Sequence, residues 1–446
     1  MKKTLRSLPL ALAFLMSWLA AACAAPEPAP SASPLPTPTT QPTRATSPTA
    51  SPQPSALTPA QSDLDNLLAQ IESTHPEPWH GVSRDEWVGQ MHQLQADLSS
   101  LTPEQAYARL CELVASLSHE GRDGHQFVIL PDSEERPALP FRTYEFAEGV
   151  FVTAAMPGYE ELVGRRISAI NGMPIDDVLA ALDPLVPRDG PQTVAGFRTI
   201  FMLRTSVLRG LGLVGDGDVT VSVGGDGQPD SDVQVTPAEW PQWRAFAGNF
   251  GIALPQRDHT LYLSDPGVTV VLRTLPEAHA VYVHYQTVTY VSSDDIAAIT
   301  EAVADPTITH VVLDLRQNGG GDNTTFGSLL SAMRNAAAAR PGSLYVMTDR
   351  LTFSAASNLA TMLEQTTDAV FAGEPGGGGL NFWDDVKWVA LPHYPLSPSV
   401  GVSTRHWQFA TPDDPRLAIE PDIAVPVTAS DYFAGRDPAL EAVLAH

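Results

Sequence analysis

Ser354 and His125 are the side chains in this sequence that are best placed to do chemistry. Ser354 lies in TFSAASNLA, between an apolar run that predicts a strand and an amphipathic run that predicts a helix. A hydroxyl at such a junction is exposed, and the helix N-terminus favours developing negative charge there. His125 lies in the Gly-rich turn SHEGRDGHQ, before another apolar run. A base must remove the proton of a serine before it attacks well, and imidazole suits that task near neutral pH.

Each of these residues also has a simpler interpretation. Serine is among the preferred residues at the N-cap of a helix, where its hydroxyl accepts a backbone N–H. A histidine in a turn is commonly structural or merely exposed. Neither residue alone decides between catalysis and structure.

A run of three glycines, Gly319 to Gly321, follows the apolar stretch VVLDL. Glycines allow a tight turn with outward-pointing N–H groups, which could form an oxyanion hole. A phosphate-binding loop is the competing interpretation. It is disfavoured because no Gly-Lys-Ser/Thr follows.

The elements that must position these residues form an alternating pattern. From about residue 280 to 373, apolar runs typical of buried strands alternate with amphipathic helical runs. This order predicts an α/β arrangement with parallel strands. Functional sites in such sheets form at the carboxyl ends of strands, where Ser354 and the glycine run both lie.

Two further regions precede this part. Residues 58–118 contain three apolar helical patterns and predict a small helical domain, with helix starts at Thr58-Pro59 and at Thr102-Pro103. Residues 119–240 are predicted to be rich in β structure. Within them a strand, the turn Asn171-Gly172, a strand and a helix follow in the order of a PDZ-like module, with a plain β insert as the alternative. The last predicted unit spans residues 258–446.

The N-terminus predicts export. Lys2, Lys3 and Arg6 precede a short apolar stretch and then Ala-Ala-Ala before Cys23, as in a bacterial lipoprotein signal. Simple secretion and an uncleaved anchor are the alternatives. Residues 24–57 are rich in Pro, Ser and Thr and predict an extended tether. The other cysteine, Cys111, lies in an apolar helical pattern and is predicted to be buried.

The charge limits the partners. Across 446 residues, 26 Lys and Arg against 51 Asp and Glu give a formal net charge of −25. A chain this acidic repels nucleic-acid phosphates, so no nucleic-acid partner is expected. The sequence also lacks HExxH and paired Cys/His spacing. Hydrolysis by a serine and a histidine needs no metal or cofactor, so none is expected.

Several motifs taken together resemble the tail-specific (C-terminal processing) and tricorn group of serine peptidases. DLRQNGGG, TFSAA and GEP occur in the order and spacing of that group's peptidase core, and IEPDIAVPV is similar to its C-terminus. The turn DGH is similar to that of its histidine-using members. The resemblance covers residues 58–446. It implies a crotonase/Clp-like β-β-α spiral core, preceded by a helical region and a PDZ-like insert.

The resemblance implies roles for individual residues. The nucleophile falls on Ser354, and the oxyanion hole falls on the amides of Gly319, Gly320 and Ala355. The lysine of the tail-specific branch would fall at Gly379, so the base falls on His125 instead. The tricorn-like branch has a serine before that histidine, where this chain has Gly124. The candidate for the acid that orients His125 is Glu420.

The function implied is that of an exported serine endopeptidase acting on peptides or proteins, attached to the membrane through a lipid on Cys23. Two alternatives remain. One is a non-catalytic protein binding peptide or lipid ligands, since a retinoid-binding protein of the vertebrate eye shares this core. The other is a hydrolase of esters, which the absence of Gly-x-Ser-x-Gly around Ser354 disfavours.

Overall fold

The computed structural model describes residues 57–225, 228–248, 253–257 and 259–446. The export signal, Cys23 and nearly all of the predicted tether lie outside these residues. Thr58–His446 forms one compact unit.

The described residues contain α-helices over the following ranges: α1 (Pro59–Thr74), α2 (Arg84–Asp97), α3 (Pro103–Ala115), α4 (Ile175–Leu182), α5 (Pro191–Leu203), α6 (Thr205–Gly210), α7 (Trp240–Ala247), α8 (Ser293–Ala304), α9 (Gly327–Ala339), α10 (Ala355–Thr366), α11 (Ala429–Ala434) and α12 (Pro438–Ala445).

The strands are β1 (Val128–Ile129), β2 (Phe141–Phe146), β3 (Gly149–Ala155), β4 (Arg166–Ile170), β5 (Met173–Pro174), β6 (Val219–Gly225), β7 (Gln228–Val235), β8 (Val270–Leu275), β9 (Ala280–Tyr285), β10 (His310–Asp314), β11 (Leu344–Thr348), β12 (Val370–Gly373), β13 (Asn381–Asp384), β14 (Lys387–Ala390), β15 (Ser399–Val402), β16 (Arg405–Gln408) and β17 (Ile423–Ala424).

The N-terminal helices begin where the sequence predicts. Thr58 caps α1 and Thr102 caps α3, each with a glutamine three residues on that returns a hydrogen bond to the cap. Proline occupies the first turn of both helices, where its missing N–H costs nothing. Cys111 is buried on α3, as predicted, and burial raises its thiol pKa to about 12.

The central sheet has the order β17-β12-β11-β10-β9-β8. The pairs from β9 to β12, and β12 with β17, are parallel, which confirms the predicted parallel arrangement. Alternate side chains of each strand face opposite sides. Val281 and Val311 belong to a core shared with α8, α9 and α10, whereas Tyr282 and Val312 pack with α12. Both faces are therefore covered, as a parallel sheet requires.

The second large sheet is antiparallel, with the order β2-β3-β4-β6-β7. The predicted turn Asn171-Gly172 joins β4 to β5, and both of its residues have positive φ, at 47° and 78°. Helix α4 follows, as predicted. The same region also contains α5 and α6, which the sequence analysis did not predict.

Two small sheets bring distant segments together near the end of the central sheet. β1 pairs with β15, and β13 pairs with β16, both antiparallel. Val128 and Ile129, inside the apolar run that follows His125, form β1. The pairing of β1 fixes the segment just after His125, and β13 carries aromatic and acidic side chains towards it.

Candidate active site

Ser354 lies between β11 and α10, as predicted, and its backbone is strained. Its φ of 54° and ψ of −127° lie in a region that residues other than glycine rarely adopt. Although it holds the N-cap position, its side chain makes no capping hydrogen bond. Its hydroxyl donates instead to Asp384 Oδ2 at 3.1 Å. Ser354 is therefore not a hydrogen-bonded helix cap.

The loop that carries Ser354 is held by buried hydrogen bonds. Thr352 Oγ1 donates to the carbonyl of Leu315 at 2.9 Å, and the Gly377 amide donates to the carbonyl of Thr352 at 3.0 Å. Asp349 accepts from the Gln317 amide at 3.1 Å. Burial, with Glu374 nearby, raises the Asp349 pKa to about 6. Such bracing can maintain the unusual backbone of Ser354.

Asp384 is a site residue that the sequence analysis missed. Its Oδ2 lies 3.1 Å from Ser354 Oγ and 3.4 Å from His125 Nε2, so one oxygen faces both predicted residues. It ends β13 thirty positions after the serine. The only sequence signal is an acidic pair, Asp384-Asp385, after an apolar strand, and such pairs are common in exposed turns.

His125 is held between aromatic rings. Its ring centroid lies 4.5 Å from that of Phe353 and 5.6 Å from that of Phe382, and both pairs are stacked. Its side chain is 14% exposed. Within the described residues, neither ring nitrogen has a hydrogen-bond partner. The structure thus brings His125 near Ser354 through Asp384 but forms no direct Ser354–His125 hydrogen bond.

Asp189 connects the two positions where this chain departs from the peptidase pattern. Its fully buried carboxylate accepts from the Gly124 amide at 2.6 Å and from the Gly379 amide at 3.2 Å. A Cβ at Gly124 would lie 2.9 Å from the Asp189 nitrogen, so a serine does not fit there. Burial raises the Asp189 pKa to about 6, although His125 and the two amides lower it in part.

The glycine turn lies directly against Ser354. Gly320 has a φ of 99°, and a Cβ there would lie 2.6 Å from Ser354 Cβ and 2.9 Å from the Ala355 nitrogen. The Gly320 amide donates to Asn318 Oδ1 at 2.9 Å. Within the described residues, the amides of Gly319 and Ala355 donate no hydrogen bond. Of the three predicted oxyanion donors, these two are free to bind an oxyanion.

Glu420 lies away from this arrangement. It is exposed, in the segment before β17. Among the described residues its side chain makes no hydrogen bond or ion pair, and His125 has no hydrogen-bonded acid. The structure does not bring Glu420 and His125 into contact.

A buried polar cluster supports the turn before His125. Asp123 accepts from His75 Nε2 at 2.9 Å, from His80 Nε2 at 3.2 Å and from Ser403 Oγ at 2.6 Å, and it also contacts Gln126. Burial alone would raise the Asp123 pKa, but the hydrogen bonds from His75, His80 and Ser403 outweigh it and lower the pKa.

His75, His80 and Asp123 have the composition of a metal site, and their ligand atoms lie within 4.8 Å of one another. However, the Glu77 amide donates to His75 Nδ1 at 3.0 Å. Nδ1 is therefore unprotonated, and Nε2 of the neutral ring must carry the hydrogen that faces Asp123. A metal ligand needs a free lone pair at that atom. The arrangement fits a hydrogen-bonded support better than a metal centre.

Two motifs that carry the family resemblance have structural roles. Arg316 is buried between Asp314 and Asp437 and lies over the Tyr262 ring, which fixes the chain just before the glycine turn. Glu374 pairs with Arg350 at 3.1 Å. Arg316 and Arg350 each follow the carboxyl end of a central strand, and their ion pairs hold the loops of the site.

No protein-family model matches this sequence, and no curated protein matches it significantly. Among solved structures, a serine-to-alanine mutant of CPAF has a TM-score of 0.57 at 13% identity, covering 86% of this chain and 95% of that one. Mature CPAF complexed with lactacystin has a TM-score of 0.56 at 14% identity, covering 86% and 97%. The photosystem II D1 C-terminal processing protease covers 87% and 97% at 16% identity, with a TM-score of 0.40.

The chain therefore has the fold of CPAF over most of its length. The predicted mixed α/β architecture is confirmed, and the likeness to a known protein is one of fold, to CPAF. Within the described residues, none of the helices is both long and apolar enough to cross a membrane.

Proposed function

We propose that this chain is a serine endopeptidase that hydrolyses peptide bonds through Ser354. The observation that carries the proposal is the conformation of Ser354. Its backbone is strained, and its side chain makes no capping hydrogen bond but donates to Asp384, beside His125. Backbone strain that the surrounding structure maintains is concentrated at functional sites. A structural serine would gain nothing from this conformation.

In the proposed reaction, Ser354 attacks the carbonyl carbon of a peptide bond. His125 takes up the serine proton and later gives it to the leaving amine. The free amides of Gly319 and Ala355 stabilise the oxyanion, each contributing roughly 3–4 kcal/mol to transition-state binding. Water then hydrolyses the acyl-enzyme. Catalytic hydrogen bonds are often long without substrate, so the missing Ser354–His125 bond is compatible with this role.

The second candidate is a non-catalytic binder of peptide or lipid ligands on the same fold. It is favoured by one observation, the donation of the Ser354 hydroxyl to Asp384 rather than to His125. The fold itself does not decide between these functions. An assay of hydrolysis does.

Two histidine variants test the proposal on a fluorescently labelled casein. His125→Ala should lower hydrolysis by at least about 100-fold, the usual contribution of a general base. His119→Ala is the matched control from the same segment and should retain activity. Hydrolysis that survives in His125→Ala, or that is absent from the wild-type protein, contradicts the proposal.

We also propose that the enzyme is exported and anchored by lipid on Cys23. The support is the pattern of the first 23 residues, with charged residues, a short apolar stretch and small residues before the cysteine. The tether of residues 24–57 would then separate the anchor from the peptidase.

A further inference from the structure

Asp384 stands between the proposed nucleophile and the proposed base. Its Oδ2 accepts the Ser354 hydroxyl at 3.1 Å and lies 3.4 Å from His125 Nε2. Its other oxygen, Oδ1, accepts the Asp385 amide at 2.6 Å. The two carboxylate oxygens therefore have separate partners, and Oδ2 is left for the serine and the histidine.

The backbone of Asp384 is fixed by its pairing with β16 and the residue just before it. Asp384 pairs with Arg405 in the β13–β16 ladder, and its carbonyl accepts the Thr404 amide at 3.0 Å. Its side chain is 14% exposed. The contact with Ser354 is thus made by a residue on a paired strand, which positions a group more accurately than a loose loop does.

The hydrogen positions follow from the chemistry of the groups. An ionised carboxylate can only accept, so the Ser354 hydrogen points at Oδ2. The nearest group that could take a proton onward is His125, because Nε2 faces the same oxygen and has no other partner among the described residues. Serine, carboxylate and imidazole therefore form a continuous path for a proton.

We propose that Asp384 is a third catalytic group, which carries the proton of Ser354 to His125. This role rests on the proposed peptidase function. The O–H bond of Ser354 breaks as its oxygen attacks, and an O–H bond forms on Asp384 Oδ2. That bond then breaks as an N–H bond forms on His125 Nε2. The carboxylate is restored, the imidazolium holds the positive charge, and the proton returns to the leaving amine.

The rate of labelling by a fluorophosphonate probe tests this role, because the probe also requires loss of the serine proton. Asp384→Asn keeps the size of the side chain but removes the carboxylate, and should slow labelling by at least about 100-fold. Asp385→Asn is the matched control. Its φ of 57° suits asparagine, and its carboxylate lies 3.9 Å from Arg405. It keeps the Asp384 carboxylate in place and should label far faster than Asp384→Asn.

Each outcome has a distinct meaning. Labelling of Asp384→Asn at or above the wild-type rate overturns the proton path and leaves the peptidase function standing. The Asp384 carboxylate would then only contact Ser354 in the free protein, and substrate would displace it on binding. A wild-type chain that takes up no probe contradicts the peptidase function, and with it this role.

A second variant covers the case in which Asp384→Asn does not fold, as judged by thermal melting. Asp384→Ala removes the carboxylate and leaves space for a small carboxylate such as formate. The folded variant should label at least about 100-fold more slowly than the wild-type protein, and added formate should raise its rate. Labelling of Asp384→Ala at the wild-type rate without formate overturns the proposed path.

Discussion

Gly320 and Ser354 touch across the gap between the ends of two neighbouring strands. A Cβ on residue 320 would lie 2.6 Å from Ser354 Cβ and 2.8 Å from the Phe353 carbonyl oxygen, at a φ of 99°. Gly320→Ala should therefore lower the free energy of unfolding by roughly 2–4 kcal/mol and displace the serine. Urea unfolding measures the first effect, and casein hydrolysis the second.

Gly319→Ala is the matched control for stability. A Cβ at residue 319 meets no atom within 4 Å, and its φ is not positive. Its free energy of unfolding should stay within about 0.5 kcal/mol of the wild-type value, as for most surface changes. Equal stability of the two variants would show that Gly320 and Ser354 are not packed as described.

Asp189 predicts a dependence of stability on pH. Burial raises its pKa from 3.8 to about 6 in the folded protein. The folded state therefore binds the proton more tightly than the unfolded state, and stability falls as pH rises from about 4 to 6. Asp189→Asn lacks this titration. Its free energy of unfolding, relative to wild type, should rise by up to about 3 kcal/mol from pH 4 to pH 7.

The variant loses a hydrogen bond to Gly124 or Gly379, but that loss shifts the whole difference equally at every pH. Only the change of this free-energy difference with pH reports the titration of Asp189. A difference that stays flat between pH 4 and 7 would mean that the carboxylate ionises in the folded protein as it does in the unfolded chain.

At this scale, sequence motifs were sufficient to propose Ser354 and His125 but not Asp384 or Asp189. Asp189 meets the Gly124 and Gly379 amides across 65 and 190 residues, in a contact that no local pattern encodes. The roles predicted for Ser354, His125 and Glu420 remain predictions. For Glu420, the structure shows only an exposed residue in the segment before β17.

Among the elements, β13 links the site to the helical region. Phe382 packs under His125, and the Trp383 ring centroid lies 4.7 Å from that of His75. His75 is fully buried and donates to Asp123. Removing it leaves a cavity and an under-satisfied buried carboxylate, so His75→Ala should lower the free energy of unfolding by about 3 kcal/mol.

His80→Ala is the comparison, because His80 contacts the same Asp123 oxygen from a side chain that is 14% exposed. Water can replace the lost contact there, so the expected loss is about 1 kcal/mol. Urea unfolding at pH 7 compares the two variants. A larger loss in His80→Ala than in His75→Ala would contradict the buried support assigned to His75.

The parallel strands were predictable because their apolar runs alternate with amphipathic helical runs. Helix α5 was not. Its residues Val194, Phe197, Ile200 and Phe201 are buried around much of its circumference. A helix surrounded by core shows no clear polar face, so its sequence lacks the period that marks an exposed helix.

For the whole molecule, the site depends on segments far apart in the chain. His125 comes from the turn before β1, Ser354 from the central sheet and Asp384 from the β13–β16 pair. The order of the motifs predicted the fold class because the motifs mark strand ends. It could not predict how the small sheets close over the serine, since those pairings depend on tertiary contacts.

The predicted cellular location, attachment to the membrane through lipid on Cys23, concerns the entire chain. If Cys23 carries lipid, the mature protein should begin at this residue and partition into detergent. A chain starting at Thr58 should be water-soluble and fully active, because Thr58–His446 forms one compact unit. Cys23→Ser should be released or left unprocessed. A mature N-terminus beyond Cys23 without added acyl mass would support simple secretion instead.

The central claim is that Ser354 is a nucleophile. Its most direct test is to treat the wild-type protein and Ser354→Ala with a fluorophosphonate probe, digest both, and locate the adduct by mass spectrometry. The account predicts a single adduct on the peptide containing Ser354 and none in the variant, which should melt at nearly the wild-type temperature. An adduct on another residue, or equal labelling of the variant, would contradict it.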